Sequence, residues 1–136
     1  MTVVLVDTSV WVDWLRGVDS AASDLLQRLS VDPGSTIATT QPVVMELRAG
    51  APASELSSLE DVLSRAAMLS VNPDLDFAVA ADVYRAVRAA GHTPRSTVDC
   101  LIAAVTIRHE ALLAHRDREF VRMASVVPRL RLLTSQ

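Results

Sequence analysis

An α/β sandwich around a mostly parallel sheet is the architecture this sequence predicts, on three observations. Short β-branched runs alternate with longer segments of helical period. Glycines fall where those helices should stop, and no repeat, low-complexity tract or linker divides the chain. Residues 1–136 are accordingly read as one domain, and half of them are apolar, enough to bury a sizeable core.

In chain order, residues 3–6 and 36–39 read as buried strands, with 68–71, 111–114 and 129–133 as weaker ones. Ala22, Leu25, Leu26 and Leu29 follow the i, i+3, i+4, i+7 spacing of a helix with one apolar face. Phe77, Ala80, Ala81 and Tyr84 repeat that spacing, as do Val98, Leu101, Ile102 and Val105. Asp19 or Ser20 can cap the first of these helices, and Pro42 suits the first turn of another beginning at Gln41. Gly17, Gly50 and Gly91 stand at expected helix ends. The segment 10–15, Val-Trp-Val-Asp-Trp-Leu, is apolar on more than one face and is expected in the core. Strands alternating with helices favour parallel pairing, and such sheets place their sites at the carboxyl ends of strands.

Composition removes several chemistries. All 13 basic residues are arginine, so Schiff-base chemistry, a phosphate-loop lysine and the lysine of receiver domains are excluded. The lone cysteine, Cys100, excludes an intramolecular disulfide and any zinc site of several thiolates. No apolar stretch approaches the ~20 residues that span a bilayer, and the first residues lack a basic segment before their apolar run. The expectation is a soluble cytoplasmic protein with no membrane role. The net charge of −3 conceals an asymmetry: residues 1–82 sum to −8 and residues 83–136 to +5. An acidic average argues against a general nucleic-acid coat, while the arginine-rich half permits local phosphate contacts.

The acids carry the functional reading. Asp7 directly follows the first strand and precedes Thr8-Ser9 at a helix start, where it can be a cap or a site carboxylate. Glu46 borders the buried stripe of the helix 42–49; Arg48, two residues on, is not placed to pair with it. Asp99 lies in the first turn of the most apolar helix, 98–108, and its structural alternative is a capping box with Ser96. Asp117 follows the strand 111–114, where it can cap the next helix. Three of the four fall at strand ends or helix starts, which favours one acidic pocket. Clustered carboxylates repel unless a cation neutralises them, and an all-oxygen set selects Mg²⁺ or Mn²⁺, with a phosphate ester as the natural substrate.

Val6-Asp7-Thr8-Ser9-Val10, Glu46-Leu47, Asp99-Cys100-Leu101-Ile102-Ala103-Ala104 and Asp117, in that order, resemble the PIN-domain family, and within it the VapC toxins of bacterial toxin–antitoxin pairs. The resemblance implies a three-layer α/β/α sandwich and a Mg²⁺- or Mn²⁺-dependent endoribonuclease that cleaves a structured RNA, transfer RNA foremost, and inhibits translation. It also implies a homodimer restrained by a cognate VapB antitoxin, which often places an arginine near the acidic pocket. The family's acidic quartet carries over to Asp7, Glu46, Asp99 and Asp117, with Asp7 and Asp99 as direct metal ligands and Thr8 and Ser9 supporting the pocket. Many relatives have a second aspartate two residues after the fourth acid; here Glu119 stands there as an alternative ligand.

Rival readings are weaker. A metal-free ribonuclease would use His92, His109 and His115, which show no convergent spacing. A haloacid-dehalogenase-like phosphatase needs an acid where Ser9 stands, and a lysine. A catalytically inactive PIN-like scaffold that only binds a protein partner would not need all four acids.

Overall fold

The computed structural model describes residues 1–133. Five parallel strands, β1 (Thr2–Val6), β2 (Ser35–Thr39), β3 (Ala67–Met68), β4 (Leu112–Ala114) and β5 (Leu132–Leu133), form one sheet in the order β3-β2-β1-β4-β5. The α-helices are α1 (Thr8–Leu15), α2 (Ala21–Val31), α3 (Gln41–Gly50), α4 (Leu56–Ser64), α5 (Asp76–Ala89), α6 (Thr97–Arg108) and α7 (Arg118–Val126), with a 3₁₀ turn at Ala53–Glu55. The expected parallel sheet is therefore present, and the fold is the three-layer α/β/α sandwich. The chain steps from β1 through β2 to β3 in one direction and returns to add β4 and β5 on the other side of β1. Right-handed crossovers, the rule for parallel strands, would put the helices after β1 and β2 and those after β3 and β4 on opposite faces. The packing of α1 on α2 and α3, and of α5 on α6 and α7, follows from this.

β1 is central because its sequence permits burial on both faces: Val4, Leu5 and Val6 are all buried. Its register sets Leu5 beside Ala38 on β2 and beside Leu113 on β4. Across the sheet, Val10, Trp11, Ile102, Val105, Phe120 and Met123 complete the core. The expected burial of segment 10–15 holds for Val10 and Trp11, whereas Leu15 is exposed at the rim. Ser20 rather than Asp19 caps α2, accepting from the Ser23 N–H at 3.1 Å. Gly17 and Gly91 adopt φ of +67° and +90°, the left-handed conformation that ends a helix cheaply only at glycine.

Two strands are shorter than residues 68–71 and 129–133 suggest. Leu69 still donates to Thr39 O, but beyond it the Gln41 side chain accepts from the Val71 N–H at 2.8 Å and donates to Ser70 Oγ, replacing the ladder. The stretch before β5 is occupied by a turn closed from Leu130 N–H to Val127 O around Pro128. Helix α4 buries only Leu59 and Leu63, too few apolar positions to announce a helix in the sequence.

Ion pairs between distant elements complete the scaffold. Asp76 at the start of α5 is buried and receives Arg108 Nε at 2.8 Å and Nη2 at 3.0 Å from the end of α6. Arg108 also donates to Ser70 O, tying the β3 exit to both helices. Burial pushes the Asp76 carboxyl up, but the Arg108 bonds and the Asn72 N–H outweigh it and leave it below its ordinary range. A carboxyl depressed in the fold contributes stability above its unfolded value near pH 4 and loses it as pH falls through the lower folded value. Arg108→Met, which strands Asp76 without its partner, should cost roughly 2–4 kcal/mol at neutral pH in denaturant unfolding. A cost under about 0.5 kcal/mol, typical of surface substitutions, would show that the pair does not tie the helices.

Candidate active site

Strand order reverses at β1, which makes the carboxyl ends of β1 and β4 the position where parallel sheets hold ligands. Asp7 leaves β1 there, and its backbone N–H donates to Ala114 O at 2.9 Å, locking it beside the end of β4. Its carboxylate caps α1, accepting from the Ser9 N–H at 3.2 Å and from Ser9 Oγ at 2.6 Å. Burial raises the Asp7 carboxyl; the Ser9 bonds oppose that rise, and the charge of Asp117 adds to it. Asp7 is thus a cap and a buried pocket acid at once.

Glu46 enters from α3, half-buried, with Oε1 accepting from Thr8 Oγ1 at 2.8 Å. Thr8 and Ser9 therefore each direct a hydroxyl to a different acid. Arg48 stays clear of this arrangement and pairs with Glu60 on α4 at 2.6 Å.

Asp99 is buried in the first turn of α6. Ser96 caps that helix by accepting from the Val98 N–H at 3.0 Å, and among the described residues it makes no reciprocal bond with Asp99. The capping-box alternative is not the arrangement found. Instead Asp99 Oδ2 is buried without a hydrogen-bond partner. Burial pushes the Asp99 carboxyl up to about 6, helped by the charges of Asp7, Glu46 and Asp117 and opposed by Arg95. The charges of the other three sequence-nominated acids thus all reach Asp99.

Asp117 caps α7 by accepting from the Glu119 N–H at 3.2 Å, and it is ion-paired with Arg95. Burial raises its carboxyl, but that bond and the Arg95 guanidinium outweigh the effect and hold it low. Glu119 is buried, its Oε1 accepting from the Arg95 backbone N–H at 3.2 Å. The histidines do not converge: His109 contacts Ser70 O, His115 contacts Asp117 O and packs on Phe120, and no hydrogen bond joins any two of the three among the described residues.

Two participants have no local signal in the sequence. Arg95 lies in the loop before α6, 22 residues from Asp117. Arg116, beside Asp117, forms an ion pair with buried Asp13 of α1, which also accepts from Ser20 Oγ at 2.8 Å. That pair ties the β4–α7 loop to α1 and so helps to set where Asp117 stands.

The donor set fits a hard divalent cation. Its oxygens are carboxylate oxygens, one is buried without a hydrogen bond, and three like charges act on it against the single opposing charge of Arg95. Among the described residues no three of His, Cys, Asp and Glu are gathered into a ready chelate.

A raised Asp99 carboxyl has a definite sign: between the unfolded value near 4 and the folded value near 6 the native state holds more protons, so stability falls as pH rises. In EDTA at pH 7, Asp99→Asn should therefore be more stable than the parent by about 1–3 kcal/mol. The advantage should shrink toward pH 4 in denaturant unfolding. A variant less stable than the parent at pH 7 would mean that Asp99 supports the helix rather than straining the pocket.

Comparison with known proteins agrees with this architecture. Residues 4–126 match the PIN domain family model. Ribonuclease VapC11 of Mycobacterium tuberculosis is 42% identical over 118 residues, covering 86% of this chain and 88% of its own. Ribonuclease VapC19 of the same organism is 36% identical over 125 residues, covering 91% and 97%. Among solved structures, VapBC2 from Rickettsia felis bound to a DNA fragment from its promoter superimposes with a TM-score of 0.76 at 22% identity, covering 97% of this chain and 98% of that one. With a family match along nearly its whole length and relatives this similar, the chain belongs to the PIN-domain family, within its VapC group.

Proposed function

We propose that this protein is a metal-dependent endoribonuclease toxin of a VapBC pair, cleaving a structured RNA and so inhibiting translation unless a VapB-type antitoxin is bound. The observation that carries the reading is the buried Asp99 Oδ2, which accepts no hydrogen bond, among the charges of Asp7, Glu46 and Asp117. The ribonuclease names of relatives at 36–42% identity support the activity.

Asp7 and Asp99 would hold Mg²⁺ or Mn²⁺, with water completing the shell, as Mg²⁺ prefers few carboxylates. Such an ion, when bound, lowers the pKa of water and screens phosphate charge. The chain's own side chains supply the rest. Ser9 fixes the Asp7 carboxylate and Thr8 fixes that of Glu46, so both acids keep one orientation as charge builds on the substrate. Glu46 and Asp117 would hold metal-bound waters, orient the attacking water, or complete a second metal site. Products would carry 5′-phosphate and 3′-hydroxyl ends. A structured loop is the expected target, because unstacked bases expose their edges, and transfer RNA is the first substrate to test.

The groove between α1, α3 and α4, lined by Val12, Leu15, Leu47 and Leu59 together with Arg16 and Glu46, is the surface this reading assigns to an antitoxin segment. Glu46 belongs to both groove and acid cluster, so a segment seated there would lie beside the site. The apolar face of α5 and α6, where Phe77, Ala81, Tyr84 and Leu101 adjoin, supports a second copy as partner.

Purified protein with Mg²⁺ or Mn²⁺ should cut total cellular RNA at discrete sites, and EDTA or Asp7→Ala should abolish the cuts. Cuts that survive both, or that end in cyclic phosphates, would replace the metal mechanism with a histidine one.

Arg118 and Arg122 are exposed one turn apart on α7, directly after Asp117, where a phosphate backbone leaving the acid cluster would pass. In an Asp99→Asn background, Arg118→Ala with Arg122→Ala should weaken RNA binding and lower the salt slope by about 1–2 units. An unchanged slope would move the RNA path off α7.

A further inference from the structure

The loop between α5 and α6 sends Arg95 back over the acid cluster. One Nη2 nitrogen pairs with Asp117 and stands 3.6 Å from Asp99 Oδ2. These carboxylates come from different elements, the loop after β4 and the first turn of α6. At 3.6 Å the contact with Asp99 is electrostatic rather than a hydrogen bond, and Oδ2 stays unsatisfied. The guanidinium side chain is 65% exposed, so packing does not lock it. The loop is held separately, by the Arg95 backbone N–H on buried Glu119. Withdrawing the side chain would therefore leave the loop anchored and two acids without their cation.

We propose that Arg95 is an internal counter-cation that occupies the acid cluster in the metal-free chain and must withdraw for a divalent cation to bind Asp99. The proposal rests on the reading of the cluster as a metal site. A guanidinium and a divalent ion cannot both approach Asp99 Oδ2 closely, because their mutual repulsion grows as the pocket excludes water. Arg95 thus lowers the repulsion among the acids before loading and competes with the metal during it. It acts through Asp99 and Asp117 as a positioning residue.

Calorimetric titration of the metal-free full chain with MnCl₂ tests this in wild type, Arg95→Gln, Arg95→Lys and Asp99→Asn. An opposite charge within this range shifts a carboxylate's proton affinity by one to three pKa units, so Arg95→Gln should bind Mn²⁺ about tenfold tighter than wild type. Arg95→Lys, which keeps a cation, should remain within a few-fold of wild type. In wild type, the arginine Nε–H resonance that Arg95→Lys removes should move as Mg²⁺ saturates the site. Equal or weaker Mn²⁺ binding by Arg95→Gln, with binding still dependent on Asp99, overturns the counter-cation and leaves the metal site standing. Wild-type affinity in Asp99→Asn overturns the metal site and the proposal with it. Should Arg95→Gln fail to fold, the resonance decides: no movement through Mg²⁺ saturation overturns the proposal.

Discussion

The parallel pairing of β1 with β4 is the constraint on which the remainder depends. These strands are separated by more than a hundred residues, yet Val4, Leu5 and Val6 lie in register with Leu112, Leu113 and Ala114. The bond from Asp7 N–H to Ala114 O carries that pairing one residue past the strand and commits Asp7 to the carboxyl end of β4. Had β4 been added beyond β3, the acids after β1 and β4 would lie at opposite ends of the sheet. The pairing requires a β1 that tolerates burial on both faces, which its Val-Val-Leu-Val run provides. It also requires long-range ties to keep α6 and the β4–α7 loop in place. Asp76–Arg108 and Asp13–Arg116 supply them, each setting a buried carboxylate against an arginine whose outer part remains in water.

The acid cluster has the opposite electrostatic character. Asp76 and Asp13 are buried with hydrogen-bonded cations and held low, whereas Asp99 is buried beside three other acids, meets Arg95 only at 3.6 Å, and is driven up. The chain thus shows that it can satisfy buried carboxylates where it uses them for structure. Leaving Asp99 Oδ2 without a hydrogen bond is a local departure from that practice, and such departures concentrate where a site must receive a charge. The same field reaches Cys100, whose thiol is pushed up to about 11 by burial and then by Asp99 and Glu119, so it remains protonated and inert.

Most of the layer order and the four acids could be read in advance, for a physical reason. Strand and helix periods are local, and in a parallel sheet every strand ends on the same side, so acids at successive strand ends and helix starts are gathered by topology alone. Asp7 and Asp117 are legible in this way; Asp99 is legible because an acid in so apolar a helix needs a reason to be there. What could not be read depends on contacts with no period. The truncation of β3 follows from Gln41, thirty residues away, taking the Val71 N–H. Arg95 is one of nine arginines in its half of the chain, and only the folded loop distinguishes it. Glu119 has the right charge and a plausible offset, but its turn toward the Arg95 backbone is set by the packing of α7.

These features converge on one economy of charge. The acid cluster has room for positive charge near Asp99 Oδ2, and three sources could supply it: a divalent cation, Arg95 of the chain itself, or a cationic side chain from a partner seated in the groove that includes Glu46. On the proposed reading all three would lower the repulsion among the same acids, and only the metal would support phosphodiester hydrolysis. An inhibitor need not distort the sheet or the acids. On that reading a cation placed beside the Asp99 carboxylate would suffice, and the repulsion among the acids would favour its binding.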